Sequence, residues 1–255
     1  MLKGRTALIT GSLDGIGYAI AQALAAKGAA VMLNGFGDAT LIRDRVGSLG
    51  KADYHGADLA DPAQIEELVR VTEKRLGPID ILVNNAVTRH NAAVEELPVE
   101  KWNYAIAVNL TAPFHLIRLT LAGMKARRWG RIINLASTFG LIASANRADY
   151  VSTKHGLVGL TRVVALEGAP YNITCNALCP ALVETPNTRR ILAERQAATG
   201  LSSKETETSF IADRQATGRL VPAANVAALA AFLCSEEAAD MTGTPIPIDG
   251  AWLSR

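Results

Sequence analysis

The feature that most constrains this sequence is a glycine-rich turn between a strand pattern and a helix pattern. Thr6 to Thr10 reads TALIT, an apolar run of strand length, and Tyr18 to Lys27 has the apolar spacing of a helix. Between them Gly11, Gly15 and Gly17 form G-x-x-x-G-x-G. Glycines let the backbone approach a pyrophosphate closely, and a helix amino end favours anions. The turn therefore predicts a dinucleotide site that opens a βαβ unit.

The rest of the chain continues this alternation of strand and helix patterns. Further strand patterns occur at Ala29 to Leu33, Asp53 to Ala57, Ile79 to Asn84, Gly130 to Leu135, Ile173 to Leu178 and Thr244 to Ile248. Helix patterns occur at Pro62 to Leu76, Lys101 to Ala126, Tyr150 to Glu167 and Asn225 to Cys234. The alternation predicts the α/β class, a Rossmann fold whose parallel, doubly wound sheet of about seven strands is flanked by helices. Without a linker pattern, residues 1–255 are predicted to form a single domain.

Composition and charge narrow the classes of function. The chain is 49% hydrophobic and 20% charged, as is usual for a globular enzyme, and its net charge is +2. This balance predicts neither a nucleic-acid nor a membrane partner. No leader pattern and no segment approaching a membrane span is recognised, which predicts a cytoplasmic location. The three cysteines, at positions 175, 179 and 234, lack ligand spacing and are predicted to be reduced core thiols, with no metal site.

One stretch, residues 184–217, differs from the rest of the chain. It is polar, rich in Thr, Arg, Glu and Ser, and poor in apolar periodicity, so it is interpreted as an irregular excursion. Such a segment is either a lid over the substrate or a mobile surface loop. The sequence favours neither interpretation over the other.

The predicted chemistry depends on Tyr150 and Lys154, which lie four residues apart and share one helix face. An ammonium beside a phenol favours the phenolate, and such a tyrosine can take the proton of an alcohol that loses hydride. Ser137 follows a predicted strand and can hydrogen-bond the same oxygen. The spacing of Tyr150 and Lys154 is common on helix surfaces, so its value comes from its combination with the glycine turn.

The choice between NAD and NADP depends on the end of the second predicted strand, Leu33-Asn34-Gly35-Phe36. That end has neither the acidic residue that holds a ribose 2′-hydroxyl nor an arginine that would grip a 2′-phosphate. Asp14, in the glycine turn, would repel a 2′-phosphate if it lies near the adenosine ribose. The sequence therefore favours NAD, with the alternative that Asp14 only faces water.

These residues, taken together, resemble a known family. The matching segments are TGSLDGIG (Thr10 to Gly17), Asp58, NNA (Asn84 to Ala86), Asn109, Ser137, YVSTK (Tyr150 to Lys154), CP (Cys179 and Pro180), MTGT (Met241 to Thr244) and DG (Asp249 and Gly250). Over essentially its whole length the sequence is similar to the short-chain dehydrogenase/reductase family. Segments such as LNGFG, WGRIIN, ITCNALCP and the final DGAW resemble the bacterial members that oxidise 3-hydroxybutyrate with NAD.

The resemblance implies a role for each matching residue. Tyr150 would be the acid/base, Ser137 would orient the substrate oxygen, Lys154 would hold the nicotinamide ribose, and Asn109 would support a water-mediated proton path. Asp58 would contact adenine. The dinucleotide would contact Gly11, Asp14, Gly15, Ile16, Gly17, Phe36, Asp58, Leu59, Asn85, Ala86, Tyr150, Lys154, Pro180, Val183 and Thr185. A homotetramer is also implied.

The predicted substrate pocket departs from the pattern of those family members. The positions that bind the carboxylate there correspond to Arg89, Phe139 and Arg147 here, while Leu182 and Ile191 replace a tryptophan and a glutamine. Two arginines can supply planar forks for an anion, so we expect a short hydroxy or oxo acid. His90 is a further candidate beside the pocket. The alternatives are that the arginines face solvent, that the substrate is a neutral or carrier-bound ketone, or that the protein binds dinucleotide without catalysis.

Overall fold

A parallel sheet of seven strands forms the centre of the computed structural model, which describes residues 2–254. The strands are β1 (Thr6–Ile9), β2 (Ala30–Asn34), β3 (Ala52–His55), β4 (Ile79–Asn84), β5 (Gly130–Leu135), β6 (Ile173–Pro180) and β9 (Pro245–Ile248). Their order is β3-β2-β1-β4-β5-β6-β9, with every neighbouring pair parallel. The predicted α/β Rossmann class and the number of strands are therefore confirmed. The single-domain prediction also included residues 1 and 255, which lie outside the described residues.

Helices cover the sheet, and two short strands pair beside it. The helices are α1 (Gly15–Ala26), α2 (Ala39–Gly47), α3 (Pro62–Leu76), α4 (Val99–Ile106), α5 (Ala112–Arg127), α6 (Ala148–Gly168), α7 (Pro186–Thr199), α8 (Ser203–Ile211) and α9 (Ala223–Leu233). The short strands are β7 (Val183–Glu184) and β8 (Val221–Pro222), which run parallel. Two apolar clusters, one on each face of the sheet, form the core because a parallel sheet must be covered on both faces.

The three cysteines lie in this core as free thiols, as the sequence predicted. Burial raises the pKa of Cys179 to about 11 and that of Cys234 to about 12. Burial likewise raises the pKa of Cys175. All three therefore stay protonated at neutral pH and pack as small apolar side chains.

The interpretation of residues 184–217 as irregular is wrong, because α7 and α8 lie within them. Thr185 caps α7 by accepting the Thr188 N–H at 3.2 Å, and Ser202 and Glu205 form a capping box at the start of α8. The apolar pattern was missed because few side chains of these helices are buried; these are Leu192 in α7 and Thr206 and Ile211 in α8. The helix α2 was also missed, and it has no buried residue.

The helices α4 and α5 are joined by a π-helical turn over Ala107–Thr111, giving one continuous helix, Val99–Arg127, of 29 residues. By length and composition this helix could cross a membrane, so the prediction that no segment approaches a span is wrong. In the fold, α5 packs between α3 and α6 and over β4, as a core helix of the Rossmann layer does.

Candidate active site

A cleft of about 650 Å³ opens at the carboxyl ends of β1, β4, β5 and β6. Strand order reverses between β1 and β4, which is where ligands bind in open α/β sheets. The chain therefore brings the ends of four strands to one place. The predicted site residues that line the cleft are Gly11, Asp14, Gly15, Ile16, Asn85, Ala86, Arg89, Ser137, Tyr150, Lys154, Pro180, Val183, Thr185 and Ile191.

The glycines of the turn let neighbouring segments pack more closely than any side chain would allow. A Cβ atom on Gly17 would lie 2.9 Å from Ser12 Cα and closer still to the Gly11 carbonyl oxygen and Asn85 Nδ2. A Cβ on Gly11, whose φ is +59°, would lie 2.8 Å from Ala86 Cα. The turn thus holds the first helical residues of α1 against the strand ends, as a site that receives a pyrophosphate requires.

The turn is locked to the end of β4 by hydrogen bonds. Asn85 Nδ2 donates to the carbonyl oxygens of Thr10 and Gly11, at 2.9 and 2.7 Å. The backbone N–H groups of Asn85 and Ala86 both donate to Thr10 Oγ1, at 3.0 and 3.1 Å. Asn85 therefore positions the turn from within the protein, and its predicted contact with the dinucleotide stays a prediction.

Three residues predicted to contact the dinucleotide, Phe36, Asp58 and Leu59, are not among the residues that line the cleft. Phe36 is 70% exposed, Asp58 is half-buried and Leu59 is buried. One Asp58 oxygen accepts the Ala60 N–H at 2.9 Å, and Asn34 Nδ2 donates to the carbonyl oxygens of His55 and Ala57, at 3.0 Å each. Asn34, where an acidic residue was expected, thus holds the ends of β2 and β3 together.

Tyr150 and Lys154 lie on α6, one turn apart, and both are buried. The Lys154 ammonium donates to the Leu135 carbonyl oxygen at the end of β5 and lies 5.6 Å from the centre of the Tyr150 ring. The pKa of Lys154 is lowered to about 8, chiefly by burial; Cys179 opposes the shift, and the Arg89 charge adds a smaller lowering. A cation held beside a phenol stabilises the phenolate, so the phenol can exchange its proton with a substrate oxygen.

We expect the lowered pKa of Lys154, about 8, to change how the free energy of unfolding depends on pH. The unfolded chain keeps this proton up to about pH 10.4, whereas the folded state releases it near pH 8. The contribution of Lys154 to the free energy of unfolding therefore rises with pH between these two values. Between about pH 7.5 and 9.5 the wild type should gain about 2 kcal/mol relative to Lys154→Met. Urea unfolding of both proteins at the two pH values measures this difference. An equal pH response of the two proteins would contradict the shift.

Hydrogen bonds hold the segments around this pair, which include Ser137, Asn109 and Phe139. Ser137 Oγ accepts the Phe139 N–H at 3.2 Å and begins a short turn after β5. Asn109 is fully buried in the π-helical turn, outside the cleft lining, where its side chain accepts the Thr88 N–H and donates to the Thr88 carbonyl oxygen, both at 2.8 Å. Asn109 therefore clamps the loop after β4, and its predicted part in a proton path stays a prediction.

A model of the family described as short chain dehydrogenase matches residues 5–196, which include the glycine turn, Ser137, Tyr150 and Lys154. The chain belongs to the short-chain dehydrogenase family. It is therefore an oxidoreductase that uses a nicotinamide dinucleotide, which the glycine turn and the cleft beside Tyr150 fit.

Several relatives of this short-chain dehydrogenase match over the full chain. D-beta-hydroxybutyrate dehydrogenase of Cupriavidus necator is 45% identical over 258 residues, covering 100% of both chains. The protein of the same name from Rhizobium meliloti is 41% identical, covering 98% of this chain and 99% of its own. Among solved structures, L-sorbose reductase from Gluconobacter frateurii in complex with NADPH and L-sorbose is 30% identical and covers 100% of this chain and 98% of its own, with a TM-score of 0.94.

The predicted substrate residues of this short-chain dehydrogenase divide into two groups. Arg89 and Ile191 line the cleft, whereas His90, Phe139, Arg147 and Leu182 are not among its lining residues. The backbone N–H of His90 donates to Asp149 Oδ2 at 2.8 Å. Leu182 is half-buried, and its N–H donates to Gln215 Oε1 at 3.0 Å. These bonds fix the loops on both sides of Tyr150.

Sequence reasoning did not assign all the residues that line the cleft of this dehydrogenase. Thr88, Leu135 and Ala136 follow or end strands, so the rule that ligands gather at strand ends would have found them. Asn187, Thr188 and Arg190 come from α7, where the polar sequence gave no signal. Val87 and Ala181 also line the cleft.

Proposed function

We propose that this short-chain dehydrogenase oxidises a short hydroxy acid to the oxo acid with NAD, and reduces the oxo acid in the reverse direction. The observation that carries the proposal is the pairing of Tyr150 and Lys154 in the cleft, with Arg89 on the same wall as an anchor for an anion. The similarity to two D-beta-hydroxybutyrate dehydrogenases supports an acid such as 3-hydroxybutyrate.

In this proposal some residues transfer the proton, and others position the substrate and the dinucleotide. The dinucleotide supplies the hydride acceptor when it is bound against the glycine turn. Tyr150 takes the hydroxyl proton of the substrate, and Ser137 holds the same oxygen by a hydrogen bond. Lys154 holds the nicotinamide ribose and favours the deprotonated phenol, and Asn109 supports the path by which the proton leaves. The predicted contacts of Asp58, Leu59, Phe36, Pro180, Val183 and Thr185 position the dinucleotide.

The substrate class is tested by Arg147→Ala, compared on acids and neutral alcohols. We expect the KM for (R)-3-hydroxybutyrate to rise about 10-fold or more, because a charge-assisted hydrogen bond is lost. The KM for neutral secondary alcohols should not change. The assay is NADH formation by absorbance, with Arg162→Ala, an exposed position on the same helix, as the matched control. An equal effect on acids and alcohols would count against an anion site and favour a neutral or carrier-bound ketone as substrate.

The preference for NAD is tested at Asp14, which is exposed at the mouth of the cleft and makes no side-chain capping bond to α1. A carboxylate there repels a 2′-phosphate, so Asp14→Arg should raise kcat/KM for NADP about 10-fold relative to NAD. Asp240→Arg, an exposed site far along the chain, is the charge-matched control. An unchanged cofactor ratio would remove Asp14 from the assignment, and a wild type that prefers NADP, the form bound to L-sorbose reductase, would refute the NAD proposal.

Three broader features complete the proposal. Residues 1–255 act as a single domain, and residues 184–217 act as the lid, which is supported by the cleft-lining residues of α7. The protein is cytoplasmic. It forms a homotetramer, and this assembly is supported by exposed apolar side chains on α5 and α6, namely Phe114, Val163 and Leu166. Light scattering after gel filtration tests the tetramer, and a monomeric mass would refute it.

A further inference from the structure

In the part of the chain that the structure describes, three arginines lack an acidic partner, and one of them, Arg147, lies close enough to Arg89, Arg214 and Tyr150 to be affected by their charges. Arg89 is exposed, while Arg147, at the start of α6, and Arg214, after α8, are half-buried. Among residues 2–254, no carboxylate oxygen lies within 4.0 Å of any of their guanidinium nitrogens. Arg190, which also lines the cleft, differs because it pairs with Glu194 at 2.5 Å.

An aromatic wall holds two of these arginines in place. The rings of Tyr150 and Phe139 meet edge-on with centroids 6.3 Å apart, and Phe139 meets Trp252 in the same way at 5.4 Å. The Arg147 guanidinium lies 5.8 Å from the centre of the Phe139 ring, and the Arg214 guanidinium lies 5.9 Å from that of Trp252. Both cations are therefore stacked on one wall that begins at Tyr150.

The Arg214 side chain is also anchored from its own segment. Its Nη1 donates to the Phe210 carbonyl oxygen at 2.6 Å, and its guanidinium lies 5.4 Å from the centre of the Phe210 ring. A neutral backbone acceptor and two rings fix the group without cancelling its charge. One bond to a carbonyl leaves most of the five N–H donors of a guanidinium for a ligand.

The charges of Arg89 and Arg214 act on Arg147. Burial lowers the pKa of Arg147, and the neighbouring charges of Arg89 and Arg214 lower it further, while Tyr150 and Asp149 oppose the shift. The buried carboxylate of Asp149 accepts the backbone N–H groups of His90 and Tyr150 and forms no ion pair with Arg147, so it offsets the Arg147 charge only in part. Against three cationic side chains a dianion would balance two charges, whereas a monoanion would balance only one.

We propose that Arg89, Arg147 and Arg214 form a three-arginine site for a hydroxy acid with two carboxylates, and that Arg214 determines specificity for the second carboxylate. The inference rests on the proposed function and deepens it, because it narrows the acid to a hydroxy dicarboxylate. One carboxylate meets Arg89 and Arg147 near the reacting carbon, and the other meets the planar fork of Arg214. Because Arg214 belongs to residues 184–217, the lid carries this part of the site.

Three probes of matched chemistry test the site: 3-hydroxyglutarate, its monomethyl ester and 3-hydroxybutyrate, each assayed for NADH formation. We expect the diacid to exceed the monoester in kcat/KM by about 10-fold or more, since the two differ in one charge. In Arg214→Gln that ratio should fall about 10-fold. Arg195→Gln is the matched control, because its guanidinium lies 5.9 Å from the same Phe210 ring, and it should keep the wild-type ratio.

Binding without turnover separates this inference from the proposed function. Calorimetric titration of glutarate and butyrate into the NADH complex should show tighter binding of the dianion in the wild type and a loss of that difference in Arg214→Gln. Equal binding of both, or an equal ratio in the wild type and Arg214→Gln, overturns the three-arginine site even if 3-hydroxybutyrate is oxidised. If no acid is oxidised but glutarate binding depends on Arg214, the site is supported and the proposed reaction is refuted.

Discussion

Tyr150→Phe should lower kcat for hydroxy-acid oxidation about 1,000-fold while dinucleotide binding remains near the wild-type value. The change removes one oxygen, and with it the acid/base. The remaining ring keeps its edge-on contact with Phe139, where the centroids are 6.3 Å apart. Steady-state NADH formation gives kcat, and fluorescence titration with NADH gives the binding constant. The two readouts together separate lost chemistry from lost binding.

A control and an opposing outcome make this test decisive. Tyr171→Phe removes a hydroxyl from a tyrosine that is 37% exposed beyond the end of α6, and it should leave kcat unchanged. If Tyr150→Phe turns over at the wild-type rate, Tyr150 is not the acid/base, and the alternative of a dinucleotide-binding protein without this catalysis gains support. A loss of NADH binding together with kcat would instead indicate a structural role for the hydroxyl.

The fold was largely predictable from the sequence because its signals are local. The strands β1, β2, β4, β5 and β6 are buried along their whole length, so each appears in the sequence as a largely apolar run. The glycine turn and the spacing of Tyr150 and Lys154 are also local patterns. Their gathering in one cleft follows from the rule for parallel strand ends, and it needs no knowledge of long-range contacts.

The parts that were not predicted depend on long-range packing or lack an apolar face. Nothing near Phe139 in the sequence indicates that Trp252, more than 100 residues later, meets its ring. The three-arginine site was therefore only partly visible, since Arg89 and Arg147 follow from the family pattern and Arg214 does not. The helices α7 and α8 were missed for a different reason: they are held by caps and ion pairs, including the contact of Arg189 with Glu207 at 2.6 Å, more than by apolar burial.

Gly17→Ala should weaken dinucleotide binding about 100-fold, because misplacing a site by a fraction of an ångström or more has effects of this size. The new Cβ would lie 2.9 Å from Ser12 Cα and closer to the Gly11 carbonyl oxygen and Asn85 Nδ2, so the turn must move. Two of these neighbours are backbone atoms, and Asn85 Nδ2 is held by the carbonyl oxygens of Thr10 and Gly11. No rotation of a flexible side chain relieves the clash.

The matched control for this prediction is Gly159→Ala on α6, where a Cβ has no atom within 4 Å. Because alanine favours a helix interior over glycine, this variant should gain about 0.5–1 kcal/mol and bind NADH as the wild type does. Overpacking at Gly17 should cost about 1–3 kcal/mol of stability, so thermal unfolding is followed beside the titration. A folded Gly17→Ala protein with wild-type affinity would mean that the dinucleotide does not depend on this turn, and both the cofactor site and the hydride chemistry placed beside Tyr150 would have to be located elsewhere.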